Sequence, residues 1–177
     1  MCGRYANPFE NVQAWKDHFG EKPEKWSSEA TMGYNTAPTQ MIPVITGAGI
    51  LVARWGMIPS WAKEVSTKFA TFNARIETVA EKPTYRGAWS HNQRCLVPAL
   101  GYYEWKTEHK MKQPYFIRPI DSSPLVFGGL YEPSRGEDIP ASCTILTMPA
   151  TEHMTDLHNR MPVMFQGEAA QEWLSGS

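Results

Sequence analysis

The 177-residue chain is 42% hydrophobic and 20% charged with a net charge of −1, the profile of one globular domain that buries its core without staples. Its three cysteines, Cys2, Cys95 and Cys143, are odd in number and far apart, which excludes a disulfide framework or a Cys-x-x-Cys metal site and points to a reducing compartment. No apolar run approaches the roughly 18–20 residues of a membrane helix, and Met1-Cys2-Gly3-Arg4-Tyr5 lacks the apolar stretch of a signal peptide, so neither a membrane nor a secreted protein is expected.

In chain order, Asn7-Pro8-Phe9-Glu10 has a capped helix start and Gly20 a stop, predicting a helix over 8–19. Val44-Ile45-Thr46 and Ile50-Leu51-Val52-Ala53, joined through Gly47-Ala48-Gly49, predict a hairpin. Further strands are expected at Cys95–Val97, Tyr102–Trp105, Pro114–Ile117, Leu125–Tyr131, Ser142–Thr147 and Pro162–Phe165, and short helices at Thr84–Ser90, Thr151–Leu157 and Glu168–Leu174. Strands outnumber helices without alternating with them. The expected fold is therefore α+β, a single domain over 1–177 with a mixed or antiparallel, barrel-like sheet core flanked by short helices.

Charge is unevenly spread: residues 54–118 carry 11 basic and 5 acidic side chains, whereas residues 119–177 carry 2 and 8. The middle segment could form a basic face for a polyanion; ordinary solvated surface is the plainer alternative.

A small residue after the initiator is the usual condition for its removal, which would make Cys2 the mature N-terminus. A terminal Cys carries a thiol and an α-amine on adjacent carbons, and the α-amine pKa of about 7.7–8.0 leaves far more neutral amine near pH 7 than a lysine at about 10.4. Amine attack on an aldehyde gives a Schiff base, and thiol addition to the imine carbon closes a five-membered thiazolidine. If residues 2–5 are extended, Arg4 shares a face with Cys2 and could hold an anion beside it. Three later segments place polar groups in apolar or aromatic surroundings. Asn73 and Arg75 share a face of an extended segment, suited to orienting a substrate and clamping a phosphate. Glu104 lies within Tyr102-Tyr103-Glu104-Trp105, a setting suited to proton transfer, and His158 follows a short helical piece. Each has a purely structural alternative: a turn Asn, a surface Arg, a solvent-facing strand Glu and a core His.

Taken together, Met1-Cys2-Gly3-Arg4-Tyr5, Tyr34-Asn35-Thr36-Ala37-Pro38-Thr39, Trp55-Gly56-Met57-Ile58-Pro59-Ser60-Trp61, Asn73-Ala74-Arg75-Ile76-Glu77-Thr78, Gly101-Tyr102-Tyr103-Glu104-Trp105 and His158-Asn159-Arg160-Met161-Pro162 closely resemble the SOS-response-associated peptidase (SRAP) family of abasic-site processing proteins. The resemblance implies a cytoplasmic protein, nucleoid-associated if bacterial or phage-encoded, that acts as a monomer without cofactor or metal. Its partner would be single-stranded DNA bearing an abasic site. Cys2 would crosslink to the ring-opened sugar as a thiazolidine, with an associated lyase activity and an autoproteolytic one that amounts to loss of Met1. By motif, Cys2 is the nucleophile, Asn73 orients the sugar and the N-terminus, His158 assists sugar-ring opening and imine formation, and Glu104 assists ring closure and reversal. Arg4, Asn35, Pro38, Arg75, Arg86 and Thr147 are implied as DNA contacts, with Trp61 and Trp105 as stacking or wedge residues.

Two departures stand out. Leu100 occupies a position where the family commonly has Asp, and the chain stops soon after Trp173, as in a compact variant or one missing its C-terminal segment. Two other functions compete: a thiol peptidase or hydrolase using Cys2 and His158, which predicts an acyl-enzyme, and a non-covalent reader of modified bases in DNA.

Overall fold

The computed structural model describes residues 2–7, 30–31, 33–66, 68–121 and 125–176. The helix expected at 8–19 lies outside these residues. Among the described residues the order is β1 (Tyr5–Asn7), β2 (Gly33–Thr36), β3 (Met41–Thr46), β4 (Gly49–Trp55), β5 (Asn73–Arg75), α1 (Arg86–Ser90), β6 (Arg94–Ala99), β7 (Gly101–Glu108), β8 (Met111–Ile117), β9 (Leu125–Glu132), β10 (Ser142–Pro149), α2 (Glu152–Thr155), β11 (Arg160–Pro162), β12 (Met164–Phe165) and α3 (Glu168–Ser175). This is the expected α+β composition, and none of its helices is long and apolar enough to cross a membrane.

The larger sheet closes on itself. β10 pairs in parallel with β4, Cys143 facing Trp55, and antiparallel with β9, from Ser142 opposite Glu132 to Ile145 opposite Gly129. Antiparallel ladders from β4 to β3, β3 to β6 and β6 to β9 complete the circuit. The period-two alternation of these five strands directs one set of side chains inward. Ile42, Val44, Ala53, Trp55, Cys95, Val97, Ala99, Leu125, Phe127, Cys143 and Ile145 accordingly form one buried cluster. Burying each of its larger side chains contributes about 1.5–3 kcal/mol.

A smaller sheet, ordered β2-β1-β7-β8, covers part of this core. Tyr5 and Tyr102 face each other across the β1–β7 ladder, and both rings meet Phe127 edge-on at 6.0 Å. Tyr5 also meets Trp55 at 5.2 Å. These aromatic contacts bring the N-terminal segment into the barrel, because β1 cannot pair with β7 without burying Tyr5.

The second half of β10 runs past β4 and takes new partners. β5 pairs with it in parallel, Asn73 opposite Ile145 and Arg75 opposite Thr147; β11 pairs antiparallel along the other edge, Pro162 opposite Thr147. The strand expected as one piece over Pro162–Phe165 is split for this reason. Val163 donates its N–H to Leu146 O at 2.9 Å, after which Met164 and Phe165 pair with β9 as β12. Outside the barrel, the Arg94 guanidinium lies 5.4 Å from the Trp89 ring and 4.5 Å from Trp173, while Trp173 Nε1 donates to Cys95 O at 3.0 Å. These contacts fasten α3 to β6.

Gly101 tolerates no side chain inside the smaller sheet, since a Cβ there would lie 2.3 Å from Ile117 O on the neighbouring strand β8. Gly101→Ala is expected to cost about 2–3 kcal/mol and lower Tm by about 5–10 °C. Gly47→Ala, whose Cβ would meet only Leu174 O at 3.9 Å, is expected to leave Tm nearly unchanged. Thermal unfolding of the two variants checks the difference.

Candidate functional site

Cys2 lies three residues before the start of β1 and is completely buried. Its Sγ donates toward Arg4 O at 3.8 Å. Burial, and then the nearby Glu104 carboxylate, push the thiol well above its ordinary range, so the resting group is a neutral S–H. Asn73, the first residue of β5, donates from Nδ2 to Cys2 O at 2.8 Å. The Oδ1 of the same amide is buried and has no hydrogen-bond partner. Glu104 stands on β7, one position past Tyr103, whose N–H bonds Arg4 O at 2.9 Å, and only 3% of it is exposed. Cys2, Asn73 and Glu104 therefore converge from three segments distant in sequence.

His158 lies in the turn after α2. Met154 of α2 packs against the buried cluster that contains Cys2, and the His158 N–H bonds Met154 O at 3.0 Å. The imidazole Nδ1 accepts the Arg160 N–H at 2.9 Å, which places the proton of a neutral ring on Nε2.

The side chains implied as DNA contacts fall into two groups. Arg4 donates from Nη1 to Asn35 Oδ1 at 2.7 Å, and Pro38 lies half-buried in the turn between β2 and β3. Arg75, Arg86 and Asn35 are exposed, as are Trp61 at 66% and Trp105 at 39%. Thr147 is different. It is fully buried, and its hydroxyl donates to Ala74 O at 3.3 Å and accepts from Arg160 Nη2 at 3.2 Å. At the β5–β10–β11 junction it links β10 to Arg160 and to the Ala74 carbonyl.

Three supporting residues fall outside the site residues expected from the sequence. Arg160 forms a two-pronged pair with Glu77, Nη2 lying 2.9 Å from Oε2, and also donates to Thr147 O at 2.6 Å. It thereby ties the His158 turn to the segment following Asn73 across β10. Tyr85 donates its hydroxyl to Asn73 O at 3.2 Å. Arg135 donates to the carbonyls of Pro59, Ser60 and Ala62 and so fixes the turn that displays Trp61. Glu77 and Arg160 lie inside the two motifs that contain Asn73 and His158, a hint that the motifs also encode their own assembly. Tyr85 and Arg135 find partners at sequence separations of 12 and 73–76, and no local pattern reports these contacts.

The family model for SOS response associated peptidase (SRAP) matches residues 1–177. Abasic site processing protein YoaM of Bacillus subtilis (strain 168) is 38% identical over 186 residues, covering 99% of this chain and 79% of that protein. Abasic site processing protein HMCES of Gallus gallus is 30% identical over 219 residues, covering 98% of this chain and 65% of that protein. A solved structure from Bordetella bronchiseptica superposes with a TM-score of 0.85 at 28% identity, covering 98% of this chain and 88% of that one.

The Arg160 guanidinium lowers the Glu77 carboxyl from 4.5 to about 2. A carboxylate whose pKa is depressed on folding stabilises the fold above its unfolded pKa, and that contribution disappears as pH falls through the folded one. The Tm difference between wild type and Glu77→Gln should therefore be full above about pH 5 and shrink progressively toward pH 2. A thermal melt series across that range measures it; a pH-independent difference would mean that the ion pair contributes nothing.

Proposed function

Since the chain belongs to the SRAP family of abasic site processing proteins, we propose that it reacts covalently with abasic sites in single-stranded DNA through Cys2, once Met1 is lost. The observation that carries this reading is the hydrogen bond from Asn73 to the Cys2 carbonyl. It fixes the first residue of the processed chain, and therefore both of that residue's nucleophiles, beside a buried carboxylate.

The residues suggest an order of events. The α-amine attacks the C1′ aldehyde of the open sugar, and loss of water gives an iminium. The buried Asn73 Oδ1 accepts an N–H of that amine and aims its lone pair. His158 Nε2–H donates to the sugar ring oxygen as the ring opens, and so shifts the sugar toward the aldehyde. The thiol then adds to the C=N carbon: the S–C bond forms, the C=N π pair moves to nitrogen, and the sulfur proton leaves through Glu104. In reversal Glu104 returns that proton to sulfur as the S–C bond breaks. A competing proton loss from C2′ of the same iminium breaks the C3′–O bond and expels the 3′ phosphate, the β-elimination that constitutes lyase chemistry.

The state of the thiol favours this amine-first sequence over a thiol hydrolase. A hydrolase needs a thiolate paired with an imidazole at rest. Here burial keeps sulfur protonated, and its hydrogen bond goes to a backbone carbonyl. A cationic iminium formed next to it makes deprotonation easy only after the substrate has been captured. For binding, Arg4, Arg75 and Arg86 neutralise phosphates, while Asn35 and Pro38 line the approach and Trp61 and Trp105 stack on bases.

The direct test mixes the protein with an oligonucleotide carrying one abasic site and resolves the products on a denaturing gel. A stable shifted band is expected from wild type. Cys2→Ser should yield an adduct only when borohydride traps the imine, and one residue added before Cys2 should eliminate both products. A normal yield from the extended protein would sink the mechanism. A second comparison separates binding from chemistry. Arg75→Ala with Arg86→Ala should lower the slope of log affinity against log salt by about 0.7 per lost contact. Glu104→Gln and His158→Gln should keep wild-type affinity and slow the covalent step by about 10²-fold or more, as read by the time course of the band.

A further inference from the structure

From Trp105 outward the β7–β8 hairpin leaves the body of the molecule. β1 pairs with β7 only at Gly101 and Tyr102, whereas the β7–β8 ladder continues to Glu108 opposite Met111. Among the described residues, 105–113 therefore form a two-stranded ribbon, and every residue of β8 from Met111 to Phe116 is exposed. Such ribbons are marginal alone in water, yet this one has three devices that stiffen it. His109 and Lys110 have φ of +48° and +69°, a two-residue turn whose twist matches that of the strands. On one face Lys106 lies 3.7 Å from Glu108, which accepts the Tyr115 hydroxyl at 3.0 Å. On the other, the Tyr103 ring lies 4.8 Å from Phe116 and 6.5 Å from Trp105.

Glu108 offsets Lys106, which leaves Lys110 and Lys112 as the net charge of the tip. Lysines on an edge strand are a common guard against unwanted pairing. That role does not account for the exposed rings beside them, Trp105 and Phe116 on the face of Lys112 and Tyr115 on the opposite face with Met111 at 72% exposure, which would promote the association that lysines prevent. Cations alternating with exposed rings on a stiff ribbon match a single strand, whose phosphates are neutralised while its bases stack.

We propose that the β7–β8 ribbon is a second nucleic-acid contact: Lys110 and Lys112 hold phosphates flanking the abasic nucleotide, and the Trp105–Phe116 face receives bases on the way. The proposal rests on the reading of the Cys2 site as the place where the abasic sugar is held. β7 carries Glu104 at that site and runs directly to the tip. Five residues at about 3.4 Å each place the turn roughly 17 Å beyond Glu104, about five steps along a stacked strand. A five-nucleotide substrate centred on the abasic site cannot reach it; a 21-mer can.

The test compares wild type with Lys110→Gln/Lys112→Gln, neither residue belonging to the Cys2 site. On an undamaged single-stranded 21-mer the double variant should lower the slope of log affinity against log salt by about 1.4, and weaken binding about 25-fold at 0.1 M salt. On an abasic pentamer its crosslinking rate should equal that of wild type. An unchanged slope on the 21-mer would overturn the proposal, as would a pentamer reaction slowed to the same extent as 21-mer binding. The change in slope on the undamaged 21-mer reports the ribbon and the wild-type pentamer reaction reports the Cys2 site, so either reading can fail without the other.

Discussion

The hydrogen bond from Asn73 Nδ2 to the Cys2 carbonyl is the constraint on which the site depends, because a chain terminus is otherwise the part of a protein least able to hold a fixed geometry. Two further supports act through it. Asn73 begins a strand that is paired along β10, and its carbonyl accepts the Tyr85 hydroxyl. On the other side of Cys2, β1 is held by its ladder to β7 and by the burial of Tyr5 against Trp55 and Phe127. A residue with one covalent neighbour after processing is thus fixed from both sheets at once.

β10 carries the coordination between the remaining groups. Its second half is paired on one edge with the strand that supplies Asn73 and on the other with the strand that follows His158. Arg160 crosses this junction, bonding the Thr147 carbonyl and the Glu77 carboxylate while its own N–H holds the His158 ring. The orientation of the imidazole and the placement of the amide are consequently set by one strand. This explains why the motifs around Asn73 and His158 contain charged residues that approach no substrate.

Much of this was legible in the sequence, for physical reasons that differ by element. The hairpin over β3 and β4 and the strands β6 to β10 announce themselves through β-branched and aromatic runs between glycine and proline, because their burial depends on their own composition. β1 and β2 do not, since Tyr5–Asn7 and Gly33–Thr36 are too short for an alternating pattern and are specified by partners elsewhere. The barrel-like core was expected from the run of strands, but the pairings that close it were hidden. Closure rests on β10 pairing with both β4 and β9, and a parallel pairing between strands nearly ninety residues apart leaves no local trace. Among the site residues, Cys2, Asn73, Glu104 and His158 were readable as chemistry embedded in motifs. Thr147 was named only through the family resemblance, as a DNA contact, and its burial follows from the pairing on both sides of it.

The placement of Cys2 inside the core also accounts for a tension in its chemistry. A nucleophile is commonly activated by exposure to a cation or a base, whereas this thiol is desolvated and lies near a carboxylate, both of which hold it protonated. For a residue that must spare incidental electrophiles this is an advantage, since a neutral buried thiol reacts slowly with them. The energetic barrier to using it falls only when a positive charge appears on the adjoining nitrogen, and in the proposed sequence that charge is created by the amine's own reaction with the aldehyde. Selectivity then belongs to the order of the two steps. The amine, with its lower ordinary pKa and no requirement for a thiolate, tests for the carbonyl first, and sulfur closes the ring on whatever the amine has already captured.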